Sequence, residues 1–241
     1  MLTESFILLD RVGSKSEQRV WEAGIQNWDH FRQARHVPGI SSLRKGFYDR
    51  QLDRSEQAHR AQDIRFFASV LPMSQQWRLW EHFKDEAVFL DIETSGYYGD
   101  VTVVGLYDGY ETKSMVRGIT FDRALLKEEL RKYKLLVTFN GRSFDVPVLQ
   151  RYFKDIVPDI PHIDLRHVCA KIGLHGGLKH IERELGISRP TAVANFTGED
   201  AVYLWQQWKA TGDREYLEKL VQYNEEDIVN LKPVMEYCYK R

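Results

Sequence analysis

The sequence predicts an α/β fold in which a mixed sheet is flanked by helices and preceded by a small all-helical region. Three observations predict it. Residues 1–83 read as helices throughout, and the composition changes abruptly near Lys84. Beyond that point three strand-like runs joined by turn signals are followed by a helix and a buried apolar strand, an order that argues for a mixed sheet with helices on its faces. The first of those runs, Val88 to Gly96, is apolar but ends in two carboxylates, Asp91 and Glu93. The organisation read from this is a helical region over 1–83 and a sheet domain over 84–241.

The bulk properties narrow the possibilities. A chain of 241 residues with 43% hydrophobic and 12% aromatic content can bury a sizeable core. Its length fits one large domain or a domain with a smaller companion. The net charge of −1 announces no global attraction to nucleic acid. The charge is uneven, with 12 Lys/Arg against 9 Asp/Glu in residues 1–80 and 22 against 26 in the remainder. Cys169 and Cys238 lie far apart and form neither a zinc spacing nor a disulfide framework, which fits a reducing cytoplasm. Met1 to Leu9 carries Glu4 where a signal peptide needs a basic leader. No apolar run approaches the roughly 18–20 residues that span a bilayer. The expectation is a cytoplasmic protein with no membrane association.

In the first region, Ser16 to Ile25 reads as a short helix closed by Gly24, with Ser14 or Ser16 as its N-cap. Asn27 to Phe31 starts a second helix. Trp21, Ile25, Trp28 and Phe31 recur at helical spacing and belong to a core. The stretch from Val12 to Phe31 loosely resembles a helix-hairpin-helix element, whose turn offers backbone N–H groups and a Lys to phosphates; an ordinary helical hairpin has the same punctuation. Val37 to Ser42 is a break. Asp53 to Leu71 is one long helical pattern stopped by Pro72, and Trp77 to Phe83 adds a further turn or two. Arg44, Lys45, Arg50, Arg54 and Arg60 form either a basic surface or a solvated helix face.

In the sheet domain, side chains two apart on a strand share a face, so Asp91 and Glu93 project together. Two carboxylates that close repel, and a shared proton or a bound cation relieves them. Oxygen ligands suit Mg²⁺ or Mn²⁺. A polar turn leads to Asp100, then Val101 to Tyr107 is a strand, Asp108-Gly109 a hairpin turn, and Thr112 to Val116 a third strand. Phe121 to Tyr133 is a helix and Leu135 to Phe139 a buried strand. Asp145 opens the next helix, where it reads as an N-cap. It also lies at the carboxyl end of a strand, where ligand sites of open α/β sheets gather. His162 to Leu165 is a short strand, followed by helices over 166–172, 178–185 (stopped by Gly186) and 200–208. His162, His167, His175 and His180 lack the i, i+4 spacing of a zinc protease. The last helical region, Glu215 to Tyr239, is read as broken at Pro233. Within it Tyr223 and Asp227, four apart, share a face close to Leu220, Ile228 and Leu231. A carboxylate at an apolar face is costly unless paired or metal-bound.

Asp91-Ile92-Glu93-Thr94, then Asn140-x-x-x-Phe144-Asp145, then Tyr223-x-x-x-Asp227 resemble, in order, the three exonuclease motifs of the DnaQ-like DEDD superfamily. Tyr223 matches its tyrosine subclass; the histidine subclass places His where Gln222 stands here. The match covers roughly residues 87–235. Gly177-Leu178-Lys179-x-Ile181-Glu182, Gly198-Glu199-Asp200-Ala201 and Leu204-Trp205 are similar to the YprB-like ribonuclease-H-like proteins. The resemblance implies a ribonuclease-H-like fold and a 3′→5′ exonuclease acting on single-stranded or frayed DNA or RNA. It implies two divalent cations, Mg²⁺ or Mn²⁺, held by Asp91, Glu93, Asp145 and Asp227, with Tyr223 orienting the attacking water. It further implies Thr94, Asn140 and Phe144 near the 3′-terminal nucleotides, and Lys179 is a candidate phosphate contact. Two other readings compete: a binding or scaffold protein on the same fold, against which the intact acidic set speaks, and a structure-specific endonuclease.

Overall fold

The structure is a computed structural model that describes residues 1–96 and 99–241. Tyr97 and Tyr98, in the turn expected before Asp100, lie outside the described residues. The chain divides into two compact units, Met1–Lys84 and Asp85–Arg241.

The first unit contains α1 (Ser14–Glu22), α2 (Trp28–Gln33), α3 (Ser42–Arg60), α4 (Ile64–Val70) and α5 (Trp80–Phe83). Of the expected aromatic stripe, Ile25, Trp28 and Phe31 are buried, together with Tyr48, Leu52 and Phe67. Trp21 stays partly exposed. A polar knot lies inside this core. Glu17, 1% exposed, receives the backbone N–H groups of Phe6 and Ile7 at 2.7 and 3.0 Å. Arg78 grips it with Nη1 at 2.9 Å and Nη2 at 2.7 Å. A buried carboxylate persists only when its lone pairs are filled in this way.

Two expectations for this unit are corrected. Neither Ser14 nor Ser16 caps α1: Gly13 takes that position in an extended conformation, and its carbonyl receives the N–H of Ser16 and Glu17. The long pattern from Asp53 to Leu71 is two helices. Gln62 adopts φ +51°, which interrupts the ladder, and Asp63 restarts it by accepting from the N–H of Arg65 and Phe66. The five basic residues all fall on α3. There Lys45 pairs with Asp49 and Arg60 with Glu56.

The second unit is built on a five-stranded sheet in the order β3-β2-β1-β4-β5. Its strands are β1 (Ala87–Thr94), β2 (Val101–Tyr107), β3 (Thr112–Val116), β4 (Leu135–Thr138) and β5 (His162–Asp164). β1 runs antiparallel to β2 and parallel to β4, so the sheet is mixed. The helices are α6 (Arg123–Leu130), α7 (Asp145–Tyr152), α8 (Leu165–Lys171), α9 (Leu178–Glu184), α10 (Gly198–Thr211) and α11 (Arg214–Tyr239). One core gathers Val88, Leu90 and Ile92 with Leu126, Leu130, Val148 and Leu149. The other gathers Val103 and Val116 with Leu204, Trp205, Leu220 and Tyr223. The alternation along β1 thus gives its even positions to the α6 and α7 side and turns Asp91 and Glu93 toward α11.

Two further expectations change here. α11 is not broken at Pro233; it continues through it. An interior proline costs a helix about 3 kcal/mol, and burial of Leu231, Val234, Met235 and Cys238 around it offsets that. Asp145 is not an N-cap. Phe144 holds that position without a capping side chain, and Asp145 is the first helical residue, its carboxylate turned to β1.

Candidate functional site

Three carboxylates meet where β1 and α11 touch. One oxygen each from Asp91, Glu93 and Asp227 lies within 4.8 Å of the other two. β1 supplies the first pair by strand alternation, and its register with β2 shifts between Glu93 and Thr94, where Thr102 of β2 is skipped. α11 brings Asp227 and Tyr223 on one face. Glu93, Asp227 and Tyr223 are buried, while Asp91 keeps a partly exposed edge.

Asp145 approaches from α7. β4 pairs with β1 only from Ala87 to Phe89, and beyond that Ile92 N–H donates to Asp145 Oδ1 at 3.0 Å. Asp145 lies outside the three-carboxylate cluster but faces the same charges. Thr94 ends β1 with its hydroxyl on the carbonyl of Gly96. Asn140 sits at φ +63°. Its N–H donates to Asp164 Oδ1 at 2.8 Å and its Oδ1 accepts from Arg166. Phe144 packs against the first core. Lys179 donates to Tyr223 Oη at 2.7 Å and to the carbonyl of Phe196.

Three positioning groups were not anticipated. Asn224, fully buried, donates Nδ2 to Asp91 Oδ2 at 2.8 Å. Gly105, directly opposite Asp91 on β2, leaves the room that Asn224 fills: a Cβ there would stand 2.1 Å from Asn224 Oδ1. An isolated glycine within a strand is a sign of close approach, so Val101-Thr102-Val103-Val104-Gly105 carried the signal. Arg189, from the segment after α9, brings Nη2 to 2.5 Å from Asp227 Oδ1. Nothing local in the sequence pointed to it.

The electrostatics follow from burial and crowding. Burial first, then Asp145, Asp227 and Glu93, push the Asp91 carboxyl well above the ordinary range. Burial, then Asp227 and Asp145, do the same to Glu93. Burial also raises Asp227, against the opposing charges of Arg189 and Lys179. Asp145 is pushed up to about 7 by burial, despite the backbone hydrogen bond from Ile92. The Tyr223 hydroxyl is raised by burial and by the neighbouring carboxylates. Burial lowers the Lys179 ammonium.

This donor set fits a hard divalent cation. Its ligand atoms are carboxylate oxygens that crowd and repel one another in a buried setting, with Arg189 and Lys179 offsetting only part of the charge at Asp227. A cation relieves that repulsion.

A family model described as RNase_H superfamily matches residues 88–239. The chain belongs to the RNase_H superfamily. This RNase H-like chain matches no curated protein by sequence. Among solved structures, it is similar to the family B DNA polymerase of the hyperthermophilic archaeon Pyrobaculum calidifontis, with a TM-score of 0.52 and 14% identity. That match covers 64% of this chain and 24% of the polymerase. It is also similar to Escherichia coli RNase D, described as an exoribonuclease involved in structured RNA processing (TM-score 0.47, 19% identity, 70% of this chain and 42% of that one). A third is the EXO domain of Aedes aegypti Nibbler (TM-score 0.44, 10% identity, 68% and 84%). The chain therefore spans about a quarter of the polymerase's length and less than half of RNase D's. At such identities the likeness is one of fold. Among the described residues, no helix is long and apolar enough to cross a membrane.

Proposed function

We propose that the chain is a metal-dependent 3′→5′ exonuclease of the DnaQ-like tyrosine subclass, nearest in kind to the YprB-like proteins, acting on single-stranded or frayed DNA or RNA. The observation that carries this reading is the buried cluster of Asp91, Glu93 and Asp227 beside Tyr223. A mutually repelling carboxylate set at a strand's carboxyl end has little structural use. It suits cations that must bind both the protein and a phosphate.

Two divalent cations, Mg²⁺ or Mn²⁺, would supply activation of the attacking water and stabilisation of the leaving oxygen in an in-line displacement. Asp91 is proposed to hold both. Glu93 and Asp227 would complete one site, and Asp145 would anchor the other. Tyr223, its hydroxyl pushed up by burial and by the carboxylates, stays protonated and orients water instead of accepting its proton. Lys179 donates to Tyr223 Oη, whose hydroxyl also hydrogen-bonds Asp227, and Lys179 is proposed to reach substrate phosphate from the same position. Thr94, Asn140 and Phe144 are proposed to lie along the 3′-terminal nucleotides. The location proposed with this activity is the cytoplasm.

The test is a time course on 5′-labelled single-stranded DNA and RNA of one sequence, with Mn²⁺, Mg²⁺ or EDTA, alongside Asp91→Ala. The expected result is a metal-dependent ladder shortening from the 3′ end and absent in the variant. Wild-type turnover by Asp91→Ala would sink the assignment. So would binding of both substrates without cleavage, which favours the scaffold reading. Cutting of circular substrates would turn it to an endonuclease.

A further inference from the structure

Arg189 is a buried cation that the proposed chemistry does not use. Its side chain is 4% exposed, and that of Glu182, on α9, is 2% exposed. The two meet fork to fork: Nε lies 2.6 Å from Glu182 Oε2 and Nη2 lies 2.6 Å from Oε1. Such bidentate pairs fix the guanidinium plane as well as its position. Nη2 then reaches 2.5 Å from Asp227 Oδ1, and Nη1 has no hydrogen-bond partner.

The arrangement exceeds what packing requires. Glu182 alone compensates the Arg189 charge, so the pair brings little net charge to the site. What it adds is a rigid dipole whose positive end rests against one oxygen of Asp227. Besides Arg189, the charge of Lys179 favours the ionised form of Asp227, against burial and the charge of Glu182. Its helix fixes its backbone, and the groups its carboxylate touches set the orientation of the side chain. Partners behind a metal-binding side chain fix that orientation and are worth about 10–100-fold in metal affinity or activity.

We infer that Arg189, braced by Glu182, is a positioning residue that holds the Asp227 carboxylate in the orientation in which it shares a divalent cation with Asp91 and Glu93. The inference rests on reading that cluster as a cation site. It makes Glu182 and Arg189 a unit, so that loss of either releases Asp227.

The experiment measures Mn²⁺ affinity by isothermal titration calorimetry in the full chain, independently of hydrolysis. Arg189→Gln leaves Glu182 buried without its partner and risks the fold. Arg189→Met combined with Glu182→Leu removes both charges at similar volume, a replacement that buried ion pairs tolerate. Arg189→Lys keeps the charge but not the fork. Circular dichroism and a thermal melt without metal establish that each variant is folded. The expected result is about 10–100-fold weaker Mn²⁺ binding in the double variant, an intermediate loss in Arg189→Lys, and no further loss when Asp227→Asn is already present. A folded double variant with wild-type Mn²⁺ affinity overturns the inference. Tighter binding overturns it too, since Arg189 would then compete with the cation. Effects that simply add to Asp227→Asn would separate Arg189 from Asp227 and likewise overturn it. Mn²⁺ binding by a wild-type chain that hydrolyses nothing removes the exonuclease and leaves this inference standing; no Mn²⁺ binding by the wild type removes both.

Discussion

Gly105→Ala adds one methyl group to the centre of a sheet, and the structure sets its consequence. The new Cβ would stand 2.1 Å from Asn224 Oδ1, 3.0 Å from its Cγ and 3.2 Å from Ile228 Cδ1. The backbone of β2 cannot retreat, because it is paired on both sides, to β1 and β3. α11 cannot retreat easily either, with Leu220, Ile228 and Leu231 buried along it. Asn224 must therefore turn, and it then loses its 2.8 Å bond to Asp91. Overpacking of this kind costs about 1–3 kcal/mol. A hydrogen bond to a charged group is worth about 1.5–3 kcal/mol. Replacing glycine within a strand returns about 0.5–1 kcal/mol. The net loss is roughly 2–5 kcal/mol, which in a domain of this size lowers the melting temperature by about 5–15 °C. The assay is thermal unfolding of four proteins: wild type, Gly105→Ala, Asn224→Ala and the double variant. In the Asn224→Ala background the clashing oxygen is gone, so the glycine substitution should cost little there. A melting temperature for Gly105→Ala within about 2 °C of wild type, or an equal cost in both backgrounds, would refute the reasoning.

Other perturbations test other parts. Tyr223→Phe should lower single-turnover hydrolysis by up to about 10²-fold, the scale of a misplaced reactant, with Mn²⁺ affinity unchanged by calorimetry; weaker Mn²⁺ binding at full turnover would remove the water-orienting role. His162, whose Nε2 lies 2.8 Å from Thr138 Oγ1, is held down to about 4 by burial and by Arg142. Below its ordinary value of 6.5 the unfolded chain binds a proton that the folded chain refuses, so stability falls as pH drops from about 6.5 to about 4. The full effect is about 3 kcal/mol, and the stability from urea titrations across that range should be flatter in His162→Gln; parallel curves would contradict it. Arg78→Met leaves Glu17 buried with only Ser5 and two backbone N–H groups as donors, and should cost about 3–5 kcal/mol by chemical denaturation. A loss under about 1 kcal/mol would mean that the ion pair is not what holds Glu17 inside.

The mixed sheet with flanking helices, and the pairing of Asp91 with Glu93 on one face, were legible because both follow from periodicity within one segment. Tyr223 and Asp227 were legible for the same reason: four residues on a helix define a face whatever surrounds it. The errors arose where a local rule met a distant partner. An Asp at the start of a helix reads as a cap because the rule considers only that helix's own N–H groups. Asp145 instead answers the N–H of Ile92, 53 residues earlier, which β4 leaves unpaired. Pro233 reads as a break because the missing hydrogen bond is a local cost, whereas the burial that outweighs it is tertiary. In the first unit the opposite happened. Asp63 was a capping signal in plain view, but the apolar spacing from Asp53 to Leu71 masked the turn at Gln62.

Ligands and their orienting partners differ in legibility for a physical reason. A ligand set must converge, and convergence from one strand and one helix leaves fixed spacings. An orienting partner needs only to reach a carboxylate's far oxygen, and any element can supply it. Asn224 reaches Asp91 across 133 residues of chain. Arg189 reaches Asp227 from an irregular stretch with no period to read. Yet these partners matter most where charge is most crowded. Burial and repulsion push every carboxyl in the cluster toward its protonated form. A protonated or rotated carboxyl binds no cation. The donors that oppose this, Asn224 on Asp91, Ile92 N–H on Asp145 and Arg189 on Asp227, each hold one oxygen and leave the other for a ligand. At Glu93 the same push is opposed by the charge of Lys179 and by a hydrogen bond shared with Asn224. The Glu93 backbone is set by β1, whose register with β2 shifts immediately after it.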